Sequence, residues 1–448
     1  MRKEIDMTNG SLLPAMLSFA IPVILSSVLQ TLYNAADSLI VGRYDSANAL
    51  GAVGSVGPIV NMLVNLFMGL AIGTNVTVAR YFGAGDMRRV KRTSDTAVIT
   101  ALVSGVIIGI LGFFVAAPVA RIVKIDAEII DMSIIYMQIL FLGMPFTALY
   151  NFISATLRGM GDTKNPMISL VASGALNVIL NVIFVKYFRM GVSGVALATV
   201  ISQGVGFVMI LCMLKKSKIG FSVKNIEFDK KIMKFMTAIG IPSSIQAITF
   251  SLSNTIMISA INSFGAAAAA GHAVESQVEG ILYVAINAIT QTVTTFTSQN
   301  IGAGKIDRVG KVLSIGIMIA LSEAIVLSLI AYGFKDFFNE LFAPGDLEAA
   351  RYALVKYQYI VIPYFTICFM EVPSGVLRGM GATVTSMLMS ILGVCGLRLV
   401  WLLVLFPLNR TPEFLFVSYP VSWTATGAMY LLAYVIVKRR LVRSHSLS

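Results

Sequence analysis

The sequence predicts an all-α integral membrane protein, with twelve transmembrane helices in two six-helix lobes related by pseudo-twofold symmetry along the membrane normal. Three observations indicate this fold. Hydrophobic residues make up 57% of the 448 positions and charged residues only 12%, whereas soluble domains carry roughly 25% charged residues. Long apolar stretches follow one another from Leu13 to Val437. Short motifs recur at an offset of 219 or 220 positions.

Each apolar stretch is long enough for one spanning helix, because a hydrocarbon core about 30 Å thick requires about 20 residues. The predicted spans are 13–40, 50–75, 94–118, 131–156, 166–187, 191–214, 232–262, 271–298, 310–333, 350–376, 384–407 and 415–437. Their continuous apolar character favours helices over the alternating strands of a membrane β-barrel. Cys212, Cys368 and Cys395 lie in these spans without metal-type spacing, which predicts packing residues.

The basic residues predict the orientation of the chain in a prokaryotic inner membrane. With the N-terminus inside, 24 of the 34 Lys and Arg residues lie on one side, nine on the other, and only Arg398 lies deep in a span. The positive-inside rule then places both termini in the cytoplasm. The net charge of +12 is spread over short loops, so membrane lipid headgroups, and not nucleic acid, are the expected partner.

An internal repeat organises the chain. Leu157–Gly161 (LRGMG) recurs as Leu377–Gly381, Ile21-Pro22 recurs as Ile241-Pro242, and Gly83-Ala84-Gly85 recurs as Gly302-Ala303-Gly304. Six spans per unit give both units the same orientation, an arrangement typical of alternating-access transporters. The predicted parts are an N-terminal lobe (1–214), a lysine-rich cytoplasmic linker (215–231), a C-terminal lobe (232–437) and a basic cytoplasmic tail (438–448).

A polar stripe on the first helix predicts a site in the N-terminal lobe. Its residues recur at helical spacing: Gln30, Tyr33, Asn34 and Asp37. Asn177 and Asn181 share a face of the fifth helix, and Thr199 lies on the sixth. One carboxylate with neutral oxygens suits a hard cation. The alternative for Asp37 is an interfacial acid, because it lies roughly 36 Å along its helix at 1.5 Å per residue.

Further candidates lie elsewhere in the spans. Pro22 and Pro242 interrupt the first and seventh helices, where each favours a kink that serves either as a hinge or as a static bend. Glu275 and Glu279 on the eighth helix and Glu371 on the tenth are candidates for a substrate or second proton site. The alternative for Glu275 and Glu279 is a position among the headgroups at the start of their span.

Five segments together resemble the multidrug and toxic compound extrusion (MATE) family over essentially the whole chain. They are Asn9-Gly10, Phe19–Pro22 (FAIP), Asn34–Gly42 (NAADSLIVG), Gly83–Gly85 and Leu157–Thr163 (LRGMGDT). The resemblance implies two lobes arranged as a V, cation-driven antiport, and export of cationic or aromatic amphipathic compounds. It also implies a cation site at Asp37, Asn177 and Thr199, and a bend of the first helix at Pro22.

Two positions depart from the family pattern. Asn181 stands where members often have a second aspartate, so the coupling ion is expected to be either H+ or Na+. Gln246 stands roughly where some members carry an acid on the seventh helix, which gives the N-terminal site more weight than the acids of the C-terminal lobe.

Other functions fit the sequence less well. A flippase for a lipid-linked saccharide or another lipid-like substrate would show a more cationic interior. An enzyme is not expected, because His272 and His445 are the only histidines and no metal-ligand pair or nucleophile-base set is present. Gly302-Ala303-Gly304-Lys305 lacks the spacing of a P-loop. We therefore expect a monomeric antiporter of amphipathic small molecules, without a cofactor.

Overall fold

The structure, a computed structural model, describes residues 5–445, without the side chains of Asn34, Ala47, Val223, Ser444 and His445. Every regular element in this range is helical. Residues 446–448 of the predicted tail lie outside the described residues, as do Arg2 and Lys3 at the N-terminus.

The first half of the chain contains seven α-helices in the described range. These are α1 (Leu12–Tyr44), α2 (Ala47–Gly83), α3 (Met87–Ile122), α4 (Ile130–Leu142), α5 (Met144–Gly159), α6 (Lys164–Asn181) and α7 (Gly191–Lys215). The wider turns of a π-helix, Val182–Tyr187, continue α6.

The second half contains nine α-helices in the described range. These are α8 (Lys230–Asn262), α9 (Ala266–Gly302), α10 (Ile306–Gly333), α11 (Lys335–Phe342), α12 (Leu347–Lys356), α13 (Cys368–Met380), α14 (Thr383–Ser390), α15 (Leu397–Val400) and α16 (Pro412–His445). Further π-helical turns are Tyr357–Val361, Ile391–Gly396 and Trp401–Leu405, and 3₁₀ turns are Val223–Asn225, Ile362–Ile367 and Phe406–Leu408.

The predicted all-α membrane fold is confirmed, and each predicted span coincides with a helix or a run of helical segments. Within the described chain, ten helical spans are long and apolar enough to cross a membrane. An eleventh is formed if α4 and α5, which meet at 46°, count as one bent span. Predicted span 271–298 lies in α9, which has 37 residues but is not among these apolar spans.

Buried threonines explain the lower hydropathy of α9. The hydroxyls of Thr290, Thr292 and Thr294 donate to carbonyl oxygens one turn earlier in the same helix, at 2.8 to 3.0 Å. All three side chains are buried. Because each hydroxyl finds an acceptor within α9, these polar residues can be buried; the Thr294 hydroxyl also lies 2.9 Å from the Gly375 carbonyl of α13.

The helices form two compact units, each with its own interior. Unit 1 contains residues 21–244, and unit 2 contains residues 6–20 together with the chain from Ile245 onward. The division therefore runs through α1 just before Pro22 and through α8 just after Pro242. The predicted lobes instead assign each of these helices to a single lobe, and that division stays a prediction.

The start of the chain is held in unit 2 by the loop between α9 and α10. The Lys305 ammonium donates to the Thr8 carbonyl at 2.9 Å and to the Asn9 side-chain oxygen at 2.6 Å. The Arg308 guanidinium donates to the Gly10 carbonyl at 3.1 Å. Asn9-Gly10, one of the segments that carry the family resemblance, thus anchors the beginning of α1.

The repeated LRGMG motif ends a helix in the same way in both units. The φ angle is 92° at Gly161 and 85° at Gly381, in the left-handed region that glycine adopts readily. The amide five residues after Leu157 donates back to its carbonyl at 2.9 Å, and the same bond to Leu377 measures 2.9 Å. This is the bond pattern of a Schellman helix end, so the last glycine of the motif is required by the backbone.

The first glycine of the same motif allows two helices to approach closely. A Cβ atom on Gly159 of α5 would lie 3.0 Å from the Asn75 carbonyl oxygen of α2. On Gly379 of α13 it would lie 2.5 Å from the Thr294 carbonyl oxygen of α9. The repeat therefore preserves one helix crossing in each unit, where only glycine fits.

Replacing the turn glycines tests this explanation. Gly161→Ala and Gly381→Ala are each expected to lower the free energy of unfolding by roughly 1–2 kcal/mol, the cost of a left-handed non-glycine residue. Gly57→Ala is the control, because its added Cβ would meet no atom within 4 Å and alanine favours the helix interior. Thermal unfolding in detergent measures all three; an equal loss in the control would contradict the backbone explanation.

Candidate functional site

The four residues predicted to bind a cation form one chain of hydrogen bonds within unit 1. The Asn181 amide nitrogen donates to the Asp37 carboxylate and, at 3.2 Å, to the side-chain oxygen of Asn177. The Asn177 amide donates to the Thr199 hydroxyl at 3.3 Å. Thr199 in turn donates to the Val195 carbonyl at 3.0 Å. Residues of α1, α6 and α7 thus meet at a single carboxylate.

One hydrogen-bond acceptor of this cluster has no donor. Asn181 is fully buried, Asn177 is 6% exposed, and Asp37 is half-buried. The Asn181 side-chain oxygen is buried and has no hydrogen-bond partner in the described structure. Buried polar atoms without a partner are uncommon and require an explanation. Hard cations and the hydronium ion bind preferentially to oxygen atoms, so an unpartnered oxygen beside a carboxylate is a suitable ligand for either.

Helix geometry changes directly after this cluster. Asn177 and Asn181 are one turn apart, so they share a face of α6. The π-helical turns Val182–Tyr187 begin at the next residue. Such wide turns occur frequently at functional sites, because they redirect the side chains on either side.

Tyr33 attaches the polar stripe of α1 to α6. Its hydroxyl donates to the Val171 carbonyl at 3.2 Å. Its ring covers Gly174, where a Cβ atom would lie only 1.9 Å from the ring carbons. Gln30, on the same stripe, is exposed, and the side chain of Asn34 lies outside the described part of the structure. Tyr33 and Asp37 are therefore the stripe residues that the structure joins to α6.

The two predicted hinge prolines lie inside continuous helices. Pro22 interrupts α1, and the Ser26 hydroxyl donates to the Pro22 carbonyl at 2.6 Å. Pro242 interrupts α8, next to Ser243, whose hydroxyl donates to the Ile239 carbonyl at 2.9 Å. Each proline removes one helical hydrogen bond, so α1 and α8 are locally weakened where they pass from one unit into the other.

Gln246 lies in a neutral network of unit 2. Its amide nitrogen donates to the hydroxyls of Ser374 and Tyr430, each at 3.2 Å. Its oxygen accepts from the Ser386 hydroxyl at 3.3 Å. At the position where the resemblance expects an acid, the structure therefore has an amide with partners for both its donor and its acceptor.

A buried ion cluster in unit 2 brings Glu275 and Glu279 together around Lys356. The Lys356 ammonium pairs with Glu275 and contacts the Glu279 carboxylate at 3.1 Å. It also donates to the Ser276 hydroxyl at 2.9 Å. Lys356 and Glu275 are fully buried, whereas 23% of the Glu279 side chain is exposed. Glu275 is thus enclosed by protein and is not a solvated headgroup-level charge.

Lys356 corrects an expectation from the sequence. The charge count from the sequence places Lys356 among the nine basic residues on the side opposite the termini, and it leaves Arg398 as the only cation deep in a span. The structure buries both cations. The signal was present, because Lys356 lies within predicted span 350–376 and two acids one helical turn apart precede it in the eighth span. The pairing was not predicted, because Lys356 and the two acids lie far apart in the sequence.

Arg398 is a second buried cation of unit 2. Its guanidinium donates to the Asn254 side-chain oxygen at 2.8 Å and to the Ser422 hydroxyl at 3.2 Å. It lies 4.1 Å from the centre of the Tyr419 ring, a distance typical of a cation–π contact. Glu371, the remaining predicted acid, is buried on α13 and belongs neither to the Lys356 pairs nor to the Gln246 network.

Comparison with known proteins agrees with this architecture. Residues 22–183 and 242–404 each match the MatE family, and the two stretches begin 220 positions apart, as the internal repeat predicts. The chain is 27% identical over 426 residues to "Probable multidrug resistance protein YoeA" of Bacillus subtilis, which covers 92% of this chain and 90% of that protein.

Solved structures share the fold at lower sequence identity. The outward-facing conformation of a multidrug resistance MATE family transporter of the MOP superfamily superposes with a TM-score of 0.92 at 20% identity, covering 98% of this chain and 99% of that chain. A crystal structure of MATE in complex with MaL6 gives 0.91 at 21% identity, covering 99% and 100%.

The contact between Tyr33 and Gly174 can be tested by overpacking. Gly174→Ala is expected to displace the Tyr33 ring and to lower stability by about 1–3 kcal/mol, the usual cost of an added group in a packed interior. In the double variant Gly174→Ala/Tyr33→Ala the combined loss should be clearly smaller than the sum of the single losses. Thermal unfolding in detergent measures the cycle; strictly additive losses would show that the two residues do not share one contact.

The ion cluster gives a second prediction. Lys356→Met leaves the buried Glu275 carboxylate without its cation, and a loss of about 3–5 kcal/mol in stability is expected. Glu275→Gln/Lys356→Met removes both charges together and should recover most of that loss. Chemical unfolding in detergent compares the variants, and a double variant as unstable as the single variant would contradict the pairing.

Proposed function

The chain belongs to the MatE family, and we propose that it exports amphipathic small molecules, cationic or aromatic, in exchange for an inward-moving H+ or Na+. Both termini then lie in the cytoplasm of a prokaryotic cell, and the transporter works as a monomer. The multidrug resistance proteins among its relatives support the substrate class.

The observation that carries this proposal is the hydrogen-bonded cluster around Asp37. Placing a charged side chain in the middle of a membrane helix costs on the order of 2.5 to 3.5 kcal/mol on insertion scales. Such a residue persists where it takes part in ion binding or proton transfer. Asp37 has an adjacent amide donor from Asn181 and, beside it, an unpartnered oxygen of the same side chain.

The two coupling ions would use this cluster differently. A proton needs only the Asp37 carboxylate, which the Asn181 amide stabilises in its ionised form by donating a hydrogen bond. A sodium ion needs oxygen ligands, so the Asn181 amide would have to turn its unpartnered oxygen towards the carboxylate. Thr199 and Asn177 would supply further oxygens in that case.

Coupling requires the cation and the exported molecule to favour different conformations of the transporter. We propose that the cation, arriving at Asp37 from outside, stabilises one bend of α1 at Pro22 and so favours expulsion of the substrate. Substrate bound from the cytoplasm favours the other bend and release of the cation. One charge crossing 100 mV contributes about 2.3 kcal/mol, so nucleotide hydrolysis is not required.

A lipid flippase remains the second candidate, and the charges of unit 2 argue against it. Lys356 and Arg398 are buried in unit 2, but Lys356 lies between the carboxylates of Glu275 and Glu279, and Glu371 is buried there as well. An interior without excess positive charge does not select for an anionic lipid-linked substrate. We therefore rank export of amphipathic compounds first.

Transport in proteoliposomes tests the proposal. Efflux of a fluorescent organic cation is measured under a proton gradient and, separately, under a sodium gradient. Asp37→Asn is expected to reduce gradient-driven efflux by about tenfold or more, within the range of coupling between two ligands. Asp45→Asn, which changes an exposed carboxylate just after the same helix, is the matched control and should retain the wild-type rate.

The outcomes separate the alternatives. The gradient that drives wild-type efflux identifies the coupling ion. Efflux that persists in Asp37→Asn would remove Asp37 from coupling. No efflux by the wild-type protein under either gradient would overturn multidrug export and favour the flippase.

A further inference from the structure

We propose that Glu279, with the stacked rings of Phe250 and Tyr283, binds the cationic group of the exported molecule. When that molecule is absent, the Lys356 ammonium pairs with the Glu279 carboxylate in its place. This subsite lies entirely within unit 2. The inference rests on the proposed function, because it assumes that the substrate is an amphipathic cation, and it adds where that cation binds and what competes with it.

Exposure distinguishes Glu279 from the other charged groups of the region. The side chain of Glu279 is 23% exposed, whereas Lys356 and Glu275 are fully buried and Arg398 is 2% exposed. A ligand that approaches this cluster therefore meets a carboxylate first. The positive charges of Lys356 and Arg398 are enclosed by protein.

Because Lys356 is shared between two carboxylates, Glu279 can exchange the Lys356 ammonium for another cation. The ammonium pairs with Glu275, and it also contacts the Glu279 carboxylate at 3.1 Å. If Glu279 turns to a substrate cation, Lys356 keeps its bond to Glu275 and to the Ser276 hydroxyl. No buried charge loses its last partner, so the exchange avoids the large penalty of an unpaired buried ion.

Aromatic rings complete the subsite. Glu279 and Tyr283 are one turn apart on α9 and so share a face. Phe250 of α8 stacks on Tyr283, with ring centres 5.8 Å apart and planes within 12°. Both rings are half-buried. A carboxylate beside half-exposed aromatic rings offers ion pairing and cation–π contact together, which suits an aromatic cation.

Arg398 does not oppose this assignment. It lies 5.9 Å from the centre of the Phe250 ring, but its guanidinium donates to Asn254 and Ser422 and is almost completely buried. These contacts hold the guanidinium in place. Glu279 therefore remains the most exposed charged group of the cluster.

A tethered competitor gives the subsite a moderate affinity. The substrate cation has to displace the Lys356 ammonium, which is held at a high effective concentration because it is part of the same chain. The ammonium returns to Glu279 when the substrate leaves. Lys356 thus favours release, which an exporter needs as much as binding.

Equilibrium binding to purified full-length protein in detergent tests the inference, with ethidium as the cationic aromatic probe. Glu279→Gln is expected to raise the dissociation constant by about tenfold, between the effects of exposed and buried charge pairs. Glu275→Gln/Lys356→Met removes the competitor together with its buried counter-charge; it should lower the dissociation constant roughly three- to tenfold. Glu323→Gln, on α10, is the control and should bind as the wild type does.

A neutral aromatic probe, N-phenyl-1-naphthylamine, separates charge recognition from general loss of structure. Its affinity should be the same in the wild type, Glu279→Gln and the double variant. Equal ethidium affinity in the wild type and Glu279→Gln would overturn the subsite, and a double variant that binds no more tightly would overturn the role of Lys356. Failure of the proposed function would appear separately, as absence of gradient-driven efflux by the wild-type protein.

Discussion

The structure depends on the rule that polar groups inside a bilayer find their partners within the protein, because hydrocarbon offers none. Helices satisfy the backbone, and the hydroxyls of the α9 threonines bond to carbonyls of their own helix. The charged side chains follow the same rule through tertiary contacts: Asp37 takes an amide from α6, and Lys356 lies between two carboxylates of α9. The candidate sites of this protein are the places where the partners of a charged side chain come from another helix.

The two repeated units apply this rule with different chemistry. Unit 1 surrounds one carboxylate with amides and a hydroxyl, so it retains a negative charge that an external cation can neutralise. In unit 2 the buried Lys356 lies between Glu275 and Glu279, so the charges of this cluster are paired within the protein. The Asn254 side-chain oxygen accepts a hydrogen bond from Arg398. Asn254 lies 220 positions after Asn34, whereas the position 220 before Arg398 is Val178. A shared fold thus holds a carboxylate–amide cluster in one unit and a buried ion-pair cluster in the other.

Backbone requirements explain why some motifs recur while the charged residues do not. Gly161 and Gly381 hold left-handed turns, and Gly159 and Gly379 lie where a side chain would strike a neighbouring helix. These demands follow from the chain path and are equal in both units. π-Helical turns directly follow Asn181 and Lys356 and flank Arg398, so local widening of the helix accompanies each polar cluster without any repeated sequence.

The sequence by itself determined the helical membrane fold and the repeat, because hydropathy and fixed offsets are properties of the linear chain. Spacing and the family resemblance together predicted the set Asp37, Asn177, Asn181 and Thr199, and its role in cation binding stays a prediction. It also placed the hinge prolines inside helices. Only the tertiary structure decided that Lys356 is buried between Glu275 and Glu279, that Gln246 has neutral partners, and that Tyr33 covers Gly174. Each of these facts depends on residues between 77 and 184 positions apart, and burial and pairing at such distances are set by helix packing, which no local pattern records.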